Sequence, residues 1–204
     1  REAVSSDYDC RMLDRKTVQE LLPKLLLGDT VVGASYSIHD GQVNPLALLR
    51  ALQVGILRFG GHYKPGHSVF DIRKQANRFV INTAGGSFTA SKLVIAAGNG
   101  TGRLAKMIGM HIPVRPQKGE LLVTERTQPC LSLPCDRIQQ TSEGSFLLGA
   151  SQEDTGFDIH TNTQVIQSIS NRARSVFPML GNLKIIRSWA ALRVLTPDRK
   201  PIYE

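Results

Sequence analysis

Arg193 is the residue of this sequence whose type and position most clearly suggest chemistry. It lies in the apolar run SWAALRVL (188–195), directly before the turn-forming residues TPD (196–198). An unpaired charge in a buried strand is costly, so the guanidinium must either reach solvent along its stem or meet a fixed anion. A planar guanidinium can pair with both oxygens of a carboxylate. The run therefore leaves two settings open for Arg193: its charge meets a fixed anion, such as a surface acid beside the strand, or it reaches solvent at the end of its stem.

A glycine-rich stretch, LVIAAGNGTG (93–102), suggests nucleotide binding. Gly98, Gly100 and Gly102 follow an apolar run that predicts a buried strand, and a helix is predicted directly after them. The dinucleotide fingerprint needs its last glycine at the position that Arg103 occupies, so the spacing disfavours an independent dinucleotide site. Two interpretations stay open: a plain strand-to-helix turn, or a supporting role beside a cofactor held mainly elsewhere.

The histidines and cysteines do not form a recognisable metal site. The sequence holds five histidines without metal-ligand spacing and three cysteines without a CxxC pair. An odd number of cysteines also argues against a disulfide framework. We therefore predict no metal, and reduced thiols fit a cytoplasmic protein best.

Charge and hydropathy restrict the class of protein. The 204 residues carry a formal net charge of +8, with 41% hydrophobic and 21% charged residues, which is typical of a globular protein. The basic residues are scattered, which disfavours nucleic acid as a partner and is compatible with a solvated basic surface. No apolar run reaches the roughly 18 residues of a membrane span, so no integral membrane segment is predicted.

The remaining pattern predicts a mixed fold. Asn44 and Pro45 are typical of a helix start, and the residues from Thr163 to Phe177 form an amphipathic helix that Pro178 ends. Short runs of β-branched and apolar residues predict strands between these helices, and longer strands follow the stretch 111–125. The fold class is predicted as α/β with α+β, changing to an antiparallel layer near His111–Val114.

Five stretches resemble, in order and spacing, the amino-acid oxidase family of flavoproteins, of the glycine oxidase and sarcosine oxidase type. They are DGQVNPLALLRAL (40–52), SVFDI (68–72), KLVIAAGNGTGRLAKMIG (92–109), IPVRPQKGELLVTE (112–125) and SWAALRVLTPDRKPIYE (188–204). The ending is most similar to the flavin subunits of cyanide-forming glycine dehydrogenase and of opine and hydroxyproline dehydrogenases. The resemblance covers nearly the whole chain.

The resemblance implies a fragment of a two-domain protein: a partial FAD-binding domain plus an antiparallel-sheet substrate domain. Residues 1–110 would form the inner part of a discontinuous FAD-binding domain, with the start of the substrate domain near 1–40. Residues 111–184 would form the substrate domain, and 185–204 a return strand toward the FAD-binding domain. The family's first βαβ unit and its flavin-covering end have no counterpart here. The full-length protein is therefore expected to bind FAD, and the chain as given to retain none and be inactive.

The resemblance also implies cofactor-binding residues. Val69 matches the position whose backbone meets the adenine in relatives. Ala96, Ala97 and Gly98 match a strand end that is packed near the nucleotide, where only small side chains let a ligand approach the backbone. The next three residues are often Ala-Trp-Ser in relatives and are NGT (99–101) here, so no cofactor contact is carried over to them.

Substrate-binding residues follow from the same comparison. Arg193 matches the arginine of the family's Gly-Leu-Arg-Pro stretch, which holds the substrate carboxylate in several members, although Val194 replaces the proline. Tyr203, at a strand end, either lines the pocket or is packed in a buried position. No catalytic acid or base is implied, because the flavin accepts a hydride from the carbon that bears the amine.

The implied function is oxidation of the C–N bond of a small amino acid (glycine, a D-amino acid or hydroxyproline) or an opine by hydride transfer to flavin. Two alternatives stay open: a tRNA-modifying FAD oxidoreductase domain, and a non-catalytic docking subunit of a multi-subunit dehydrogenase. The narrower relatives work as heteromers, which implies partner subunits. A cytoplasmic location is implied, with any membrane association through those partners.

Overall fold

The computed structural model describes residues 9–203, and these divide into two compact units. Unit 1 holds the described residues up to Gln42 together with Lys118–Ala191. Unit 2 holds Val43–Gln117 and the residues from Leu192 onward. Both are mixed α/β with antiparallel strand pairs. The mixed fold class is as predicted, whereas the antiparallel layer was predicted only from about His111–Val114 onward. Their assignment as substrate and FAD-binding domains stays a prediction.

Unit 1 contains two sheets and two α-helices. A two-stranded antiparallel sheet joins β1 to β2, and a four-stranded sheet has the order β7-β8-β6-β9, in which β6 and β9 also carry the chain into unit 2. The elements are β1 (Arg11–Asp14), α1 (Arg15–Leu21), β2 (Gly33–Tyr36), β6 (Arg115–Arg126), β7 (Ile138–Gln140), β8 (Ser145–Gly149), α4 (Thr163–Val176) and β9 (Ile185–Leu195).

Unit 1 is built around one apolar cluster. Helix α4 begins at its cap Asn162, whose Oδ1 accepts the Gln164 amide at 2.8 Å, and it contributes the buried Ile169 and Ala173. Phe177 follows the helix and is almost fully buried. The predicted helix is confirmed and ends one residue earlier than expected. The buried members of the cluster are Val18, Leu22, Leu25, Leu27, Leu122, Ile138, Phe146, Leu148, Ile169, Ala173, Phe177 and Leu180.

Charged side chains are also buried in unit 1. The Lys118 side chain is 4% exposed and that of Glu120 is 0% exposed, with Nζ and Oε1 3.3 Å apart. Lys118 Nζ lies 3.1 Å from Glu153 Oε2 and donates to the His160 carbonyl at 3.0 Å. Burial lowers the pKa of Lys118, but hydrogen bonds and charges from Glu153 and Glu120 outweigh it, and the pKa lies above its ordinary value of 10.5. The ammonium is therefore held charged.

The Glu120 carboxylate also serves helix α4. Its two oxygens accept the backbone amide of Asn162, the helix cap, at 2.9 and 3.1 Å. A carboxylate at a helix N-terminus is favoured by the helix dipole. Glu120 therefore links strand β6 to the start of α4, and its charge is compensated from both sides.

Unit 2 contains two α-helices and one sheet: α2 (Pro45–Arg58), β3 (Val69–Gln75), β4 (Arg78–Thr83), β5 (Gly86–Ala90) and α3 (Thr101–Lys106). Asn44 caps α2 as predicted, because its Oδ1 accepts the amides of Leu46 and Ala47 at 3.1 and 3.2 Å. The sheet has the order β3-β4-β5, and both pairs are antiparallel. Strand β5 begins directly after the turn, at Gly86, whose φ is +129°.

Helix α1 is capped by Asp14, whose carboxylate accepts the Thr17 amide at 2.8 Å. Strand β2 is short, because only Gly33–Tyr36 pair with β1. One local prediction was wrong. The run 92–98 forms no strand with the described residues, since a strand needs a neighbouring strand for its backbone hydrogen bonds.

Candidate functional site

The predicted site residues all belong to unit 2, and several of them line one cavity. This cavity has a volume of about 710 Å³ and a mainly apolar lining that includes Leu93, Ala105 and Ile112. Ala96, Gly98 and Tyr203 lie on its wall, so the structure brings these three predicted residues together. An apolar cavity with a few polar groups is the usual form of a ligand site.

The glycine turn beside this cavity has a conformation that side chains rarely adopt. Gly98 has φ +57°, and a Cβ built on it would meet only Val194 Cγ2, at 3.6 Å. The Ala97 amide donates to Thr101 Oγ1 at 3.2 Å, and the Gly100 amide donates to the Ala97 carbonyl at 2.9 Å. Gly98 is therefore required by backbone conformation and leaves open space above the turn.

Gly102 has a different reason to be glycine. A Cβ there would lie 3.1 Å from the Ile112 carbonyl oxygen, so the start of α3 packs closely against the segment that follows it. This supports the interpretation of part of the glycine pattern as a structural turn. Arg103, where the fingerprint would need glycine, donates from Nη2 to the Val69 carbonyl at 3.1 Å. Arg103 thereby ties α3 to the predicted adenine-contacting residue.

Asn99 connects the glycine turn to strand β9. Its Nδ2 donates to the Leu192 carbonyl at 3.3 Å, directly before Arg193. Its Oδ1 is buried and accepts no hydrogen bond from residues 9–203. An orphaned buried acceptor costs free energy unless a donor reaches it. Sequence reasoning assigned no contact to Asn99 and missed Arg103 as well.

Arg193 and Tyr203 differ in their surroundings. Arg193 is half-buried on β9 and is not part of the cavity wall described above. Tyr203 is 90% exposed, so the alternative that it is packed in a buried position is wrong. The carboxylate-binding role of Arg193 and the cofactor roles of Val69, Ala96, Ala97 and Gly98 stay predictions.

The turn after β9 is held by its own side chains. Thr196 Oγ1 donates to the Lys200 carbonyl at 2.8 Å, and the Lys200 amide donates to Asp198 Oδ1 at 3.1 Å. The hydrogen bond from that amide is the main reason why the pKa of Asp198 lies below its ordinary value. Arg199 adopts a positive φ of 61° within the turn. The predicted Thr-Pro-Asp turn is confirmed and places Arg199 and Lys200 on the cavity wall.

A metal centre has no support in the part of the chain that the structure describes. Among these residues no three His, Cys, Asp or Glu side chains are grouped as metal ligands. The three cysteines are free, and burial raises the pKa of the Cys135 thiol. No helix between residues 9 and 203 has the length and apolar character to cross a bilayer.

Comparison with known proteins identifies the family. The family model described as FAD dependent oxidoreductase matches residues 1–204. The chain belongs to this family. The resemblance drawn from the sequence is thereby confirmed, and its narrower part is confirmed for the opine and cyanide-forming relatives.

Two relatives illustrate the similarity. One of the subunits of opine oxidase from Agrobacterium tumefaciens (strain Ach5) is 37% identical over 197 residues, which cover 95% of this chain and 52% of the relative. The HcnC protein of hydrogen cyanide synthase from Pseudomonas aeruginosa is 31% identical over 199 residues, covering 94% of this chain and 47% of the relative. The chain thus spans about half the length of the curated relatives it matches.

A solved structure agrees with the fold. Glycine oxidase from Bacillus cereus superposes with a TM-score of 0.85 at 27% sequence identity, covering 95% of this chain and 54% of that structure. The match extends over both units, so each unit has the fold of the corresponding part of that structure.

Proposed function

We propose that these 204 residues are part of a longer FAD-dependent oxidoreductase that oxidises the C–N bond of a small amino acid or an opine. The observation that carries this proposal is the 37% identity to the opine oxidase relative, which extends over 95% of the chain. Similarity to glycine oxidase of Geobacillus kaustophilus, 29% identical over 187 residues, supports the same class of substrate.

The residues of the glycine turn fit a nucleotide cofactor. Ala96, Ala97 and Gly98 are exposed, and their side chains are too small to keep a ligand from the backbone. Gly98 also has the left-handed conformation described above. The orphaned Oδ1 of Asn99 offers an acceptor beside them. These residues, with the Val69 backbone, would hold part of FAD. When bound, FAD supplies the acceptor for the hydride that leaves the amine-bearing carbon.

The role of the chain toward substrate is binding and orientation. Arg193 would pair with the substrate carboxylate through its planar fork, which fixes the amine-bearing carbon in place. Loss of a hydride from carbon and a proton from nitrogen converts the amine to an imine, which water then hydrolyses. Tyr203, on the cavity wall, would contribute to the surface around the ligand.

Partner chains are part of the proposal. The two relatives described above are each one subunit of a larger enzyme, opine oxidase in one case and hydrogen cyanide synthase in the other. We infer that the longer protein works in a comparable assembly, with separate chains beside it.

The substrate class is tested by flavin reduction. The protein is expressed from its full reading frame and its absorbance is followed without oxygen while glycine, a D-amino acid, hydroxyproline or an opine is added. We expect at least one of these amines to bleach the flavin absorbance. A bound flavin that none of them reduces would show that the proposed substrate class is wrong.

Cofactor retention gives a second, separate prediction. FAD pyrophosphate is normally held by a glycine turn and helix N-terminus of a βαβ unit, and the stretch 98–103 lacks the required spacing. We expect the 204-residue chain to leave gel filtration colourless after incubation with FAD, and the protein from the full reading frame to remain yellow. A yellow 204-residue chain would contradict this.

A further inference from the structure

Unit 1 has two neighbouring cavities that share arginine side chains. Their volumes are about 460 and 470 Å³, and ligand sites typically measure roughly 300–1,000 Å³. Arg137, Ile169 and Arg172 line both cavities, so we call the pair the arginine cleft. None of the site residues predicted from the sequence lies on its walls. The arginine cleft is therefore a second candidate site, separate from the one described above.

Arg172 brings an uncompensated charge to the arginine cleft. It lies on helix α4 and is exposed. No carboxylate or carbonyl group among residues 9–203 pairs with its guanidinium. A guanidinium is always charged and has five N–H donors. The donors of Arg172 are therefore available to an anion.

The Arg137 guanidinium is held in place by two hydrogen bonds. Its Nη1 donates to the Ala150 carbonyl at 2.7 Å, and its Nε donates to Asp136 Oδ2 at 3.1 Å. The Asp136 side chain is 90% exposed, so water screens this ion pair and the arginine keeps most of its attraction for a second anion. A guanidinium that is already fixed also loses little conformational freedom when an anion binds to it.

Glu153, the other acidic residue on the walls, is already compensated. Its Oε2 lies 3.1 Å from Lys118 Nζ, and its Oε1 accepts the Ser151 hydroxyl at 2.6 Å. Glu153 is therefore a weak competitor for the two arginines. The remaining charges of the cleft are two guanidinium groups against the one exposed carboxylate of Asp136.

The two cavities differ in the rest of their walls. The first has an apolar wall, and the second offers hydroxyl and amide groups. The apolar wall is formed by Ile138, Ile169, Ala173 and Val176, and the polar groups belong to Ser151, Gln152, Gln164 and Ser168. A ligand with a charged head on the arginines could therefore bury an aliphatic chain in the first cavity.

We propose that the arginine cleft binds a small carboxylate with an aliphatic chain, its carboxylate on Arg137 and Arg172 and its chain in the apolar cavity. Charge complementarity selects an anion, and the planar fork of arginine matches the two oxygens of a carboxylate. The apolar wall favours this ligand over a bare inorganic anion, which has no apolar surface to bury there. The inference is independent of the proposed reaction, because it involves neither FAD nor Arg193.

Cys135 can report whether the cleft is occupied, because it lies on the wall of the apolar cavity. The protein from the full reading frame is alkylated with and without hexanoate, and mass spectrometry measures the labelling rate of each cysteine. Burial raises the pKa of the Cys135 thiol, so a mildly alkaline solution is used to form its thiolate. We expect hexanoate to slow the labelling of Cys135 and not that of the exposed Cys10. Hexanol, which lacks the charge, and acetate, which lacks the chain, should protect Cys135 far less.

Substitutions test the two arginines separately from the cavity. Arg172→Gln should raise the hexanoate concentration for half-protection by about tenfold or more, which is the effect of losing one charge-assisted hydrogen bond. The matched control is Arg174→Gln, an exposed arginine of the same helix that lines neither cavity, and it should leave this concentration unchanged. Asp136→Asn should lower the concentration, because it removes the carboxylate that competes for Arg137.

Several results would overturn the proposal. Equal protection by hexanol would mean that the cavity does not recognise charge, and equal protection by inorganic phosphate would mean a plain anion site. If hexanoate leaves the labelling of Cys135 unchanged, or protects the Arg172→Gln variant as well as the wild type, the arginines do not bind it. A Cys135 that resists labelling without any ligand would mean that another segment or a partner chain fills the cleft. Because the measurement is labelling and not turnover, these outcomes are distinct from failure of the flavin-reduction test.

Discussion

Replacing Arg193 with lysine in the protein from the full reading frame should raise the KM for its carboxylate substrate by about tenfold or more, with FAD content unchanged. Lysine keeps the charge and loses the planar fork that pairs with both carboxylate oxygens. One charge-assisted hydrogen bond is worth roughly 1.5–3 kcal/mol, and about 1.4 kcal/mol corresponds to tenfold in affinity. Steady-state kinetics and flavin absorbance of the purified variant measure both quantities.

A second arginine on the same strand provides the control. Arg187 is exposed and lies over the Trp189 ring, with Cζ 5.3 Å from the ring centroid. Arg187→Lys should leave the KM unchanged, because this side chain has no proposed contact with substrate. An Arg193→Lys variant with the KM of the wild type would remove the carboxylate-binding role. A variant that loses FAD would instead indicate that Arg193 supports the fold of the cofactor site.

Sequence patterns were sufficient where local chemistry decides the structure. Asn44 followed by Pro45 predicted the start of α2, because an amide oxygen at a cap and a ring with fixed φ both act within one turn of helix. The end of α4 before Pro178 followed from the same kind of argument. Such elements need no information about distant parts of the chain.

Patterns failed where the outcome depends on a distant neighbour. The run 92–98 reads as a buried strand, but no strand among the described residues pairs with it. The apolar sequence of α2 favours burial, whereas its exposure depends on what packs against it. Periodicity describes which surface a segment offers, and it carries no information on whether a partner is present.

The candidate site was only partly predictable for the same reason. Ala96 and Gly98 were found through the family resemblance and Tyr203 through its predicted place at a strand end, and the three share one cavity. Asn99 and Arg103 were missed, because their partners, the Leu192 and Val69 carbonyls, lie 93 and 34 residues away in sequence. The available signal was their departure from the pattern: an asparagine after the left-handed Gly98, and an arginine in place of the last fingerprint glycine.

The buried charges of unit 1 predict the largest single-residue effect on stability. Glu120 is fully buried, and it satisfies both Lys118 Nζ and the amide of Asn162 at the start of α4. Removing one partner of a buried ion pair leaves the other charge uncompensated, which costs far more than the pair contributes in net terms. Glu153 would remain near Lys118, but its side chain is 21% exposed, whereas that of Glu120 is fully buried.

Glu120→Gln should therefore lower the free energy of unfolding of the 204-residue chain by about 3 kcal/mol. The amide keeps the shape of the carboxylate, but it removes the negative charge beside Lys118 and turns an NH₂ group toward the Asn162 amide or the lysine. Urea denaturation followed by circular dichroism measures the change, with Glu143→Gln as the control. Glu143 is exposed in a turn, where the Ser142 hydroxyl donates to its carboxylate, so its replacement should change the urea midpoint far less than that of Glu120. Equal midpoints for the Glu120 and Glu143 variants would mean that water or a rearranged side chain compensates Lys118, and that the network does not stabilise unit 1.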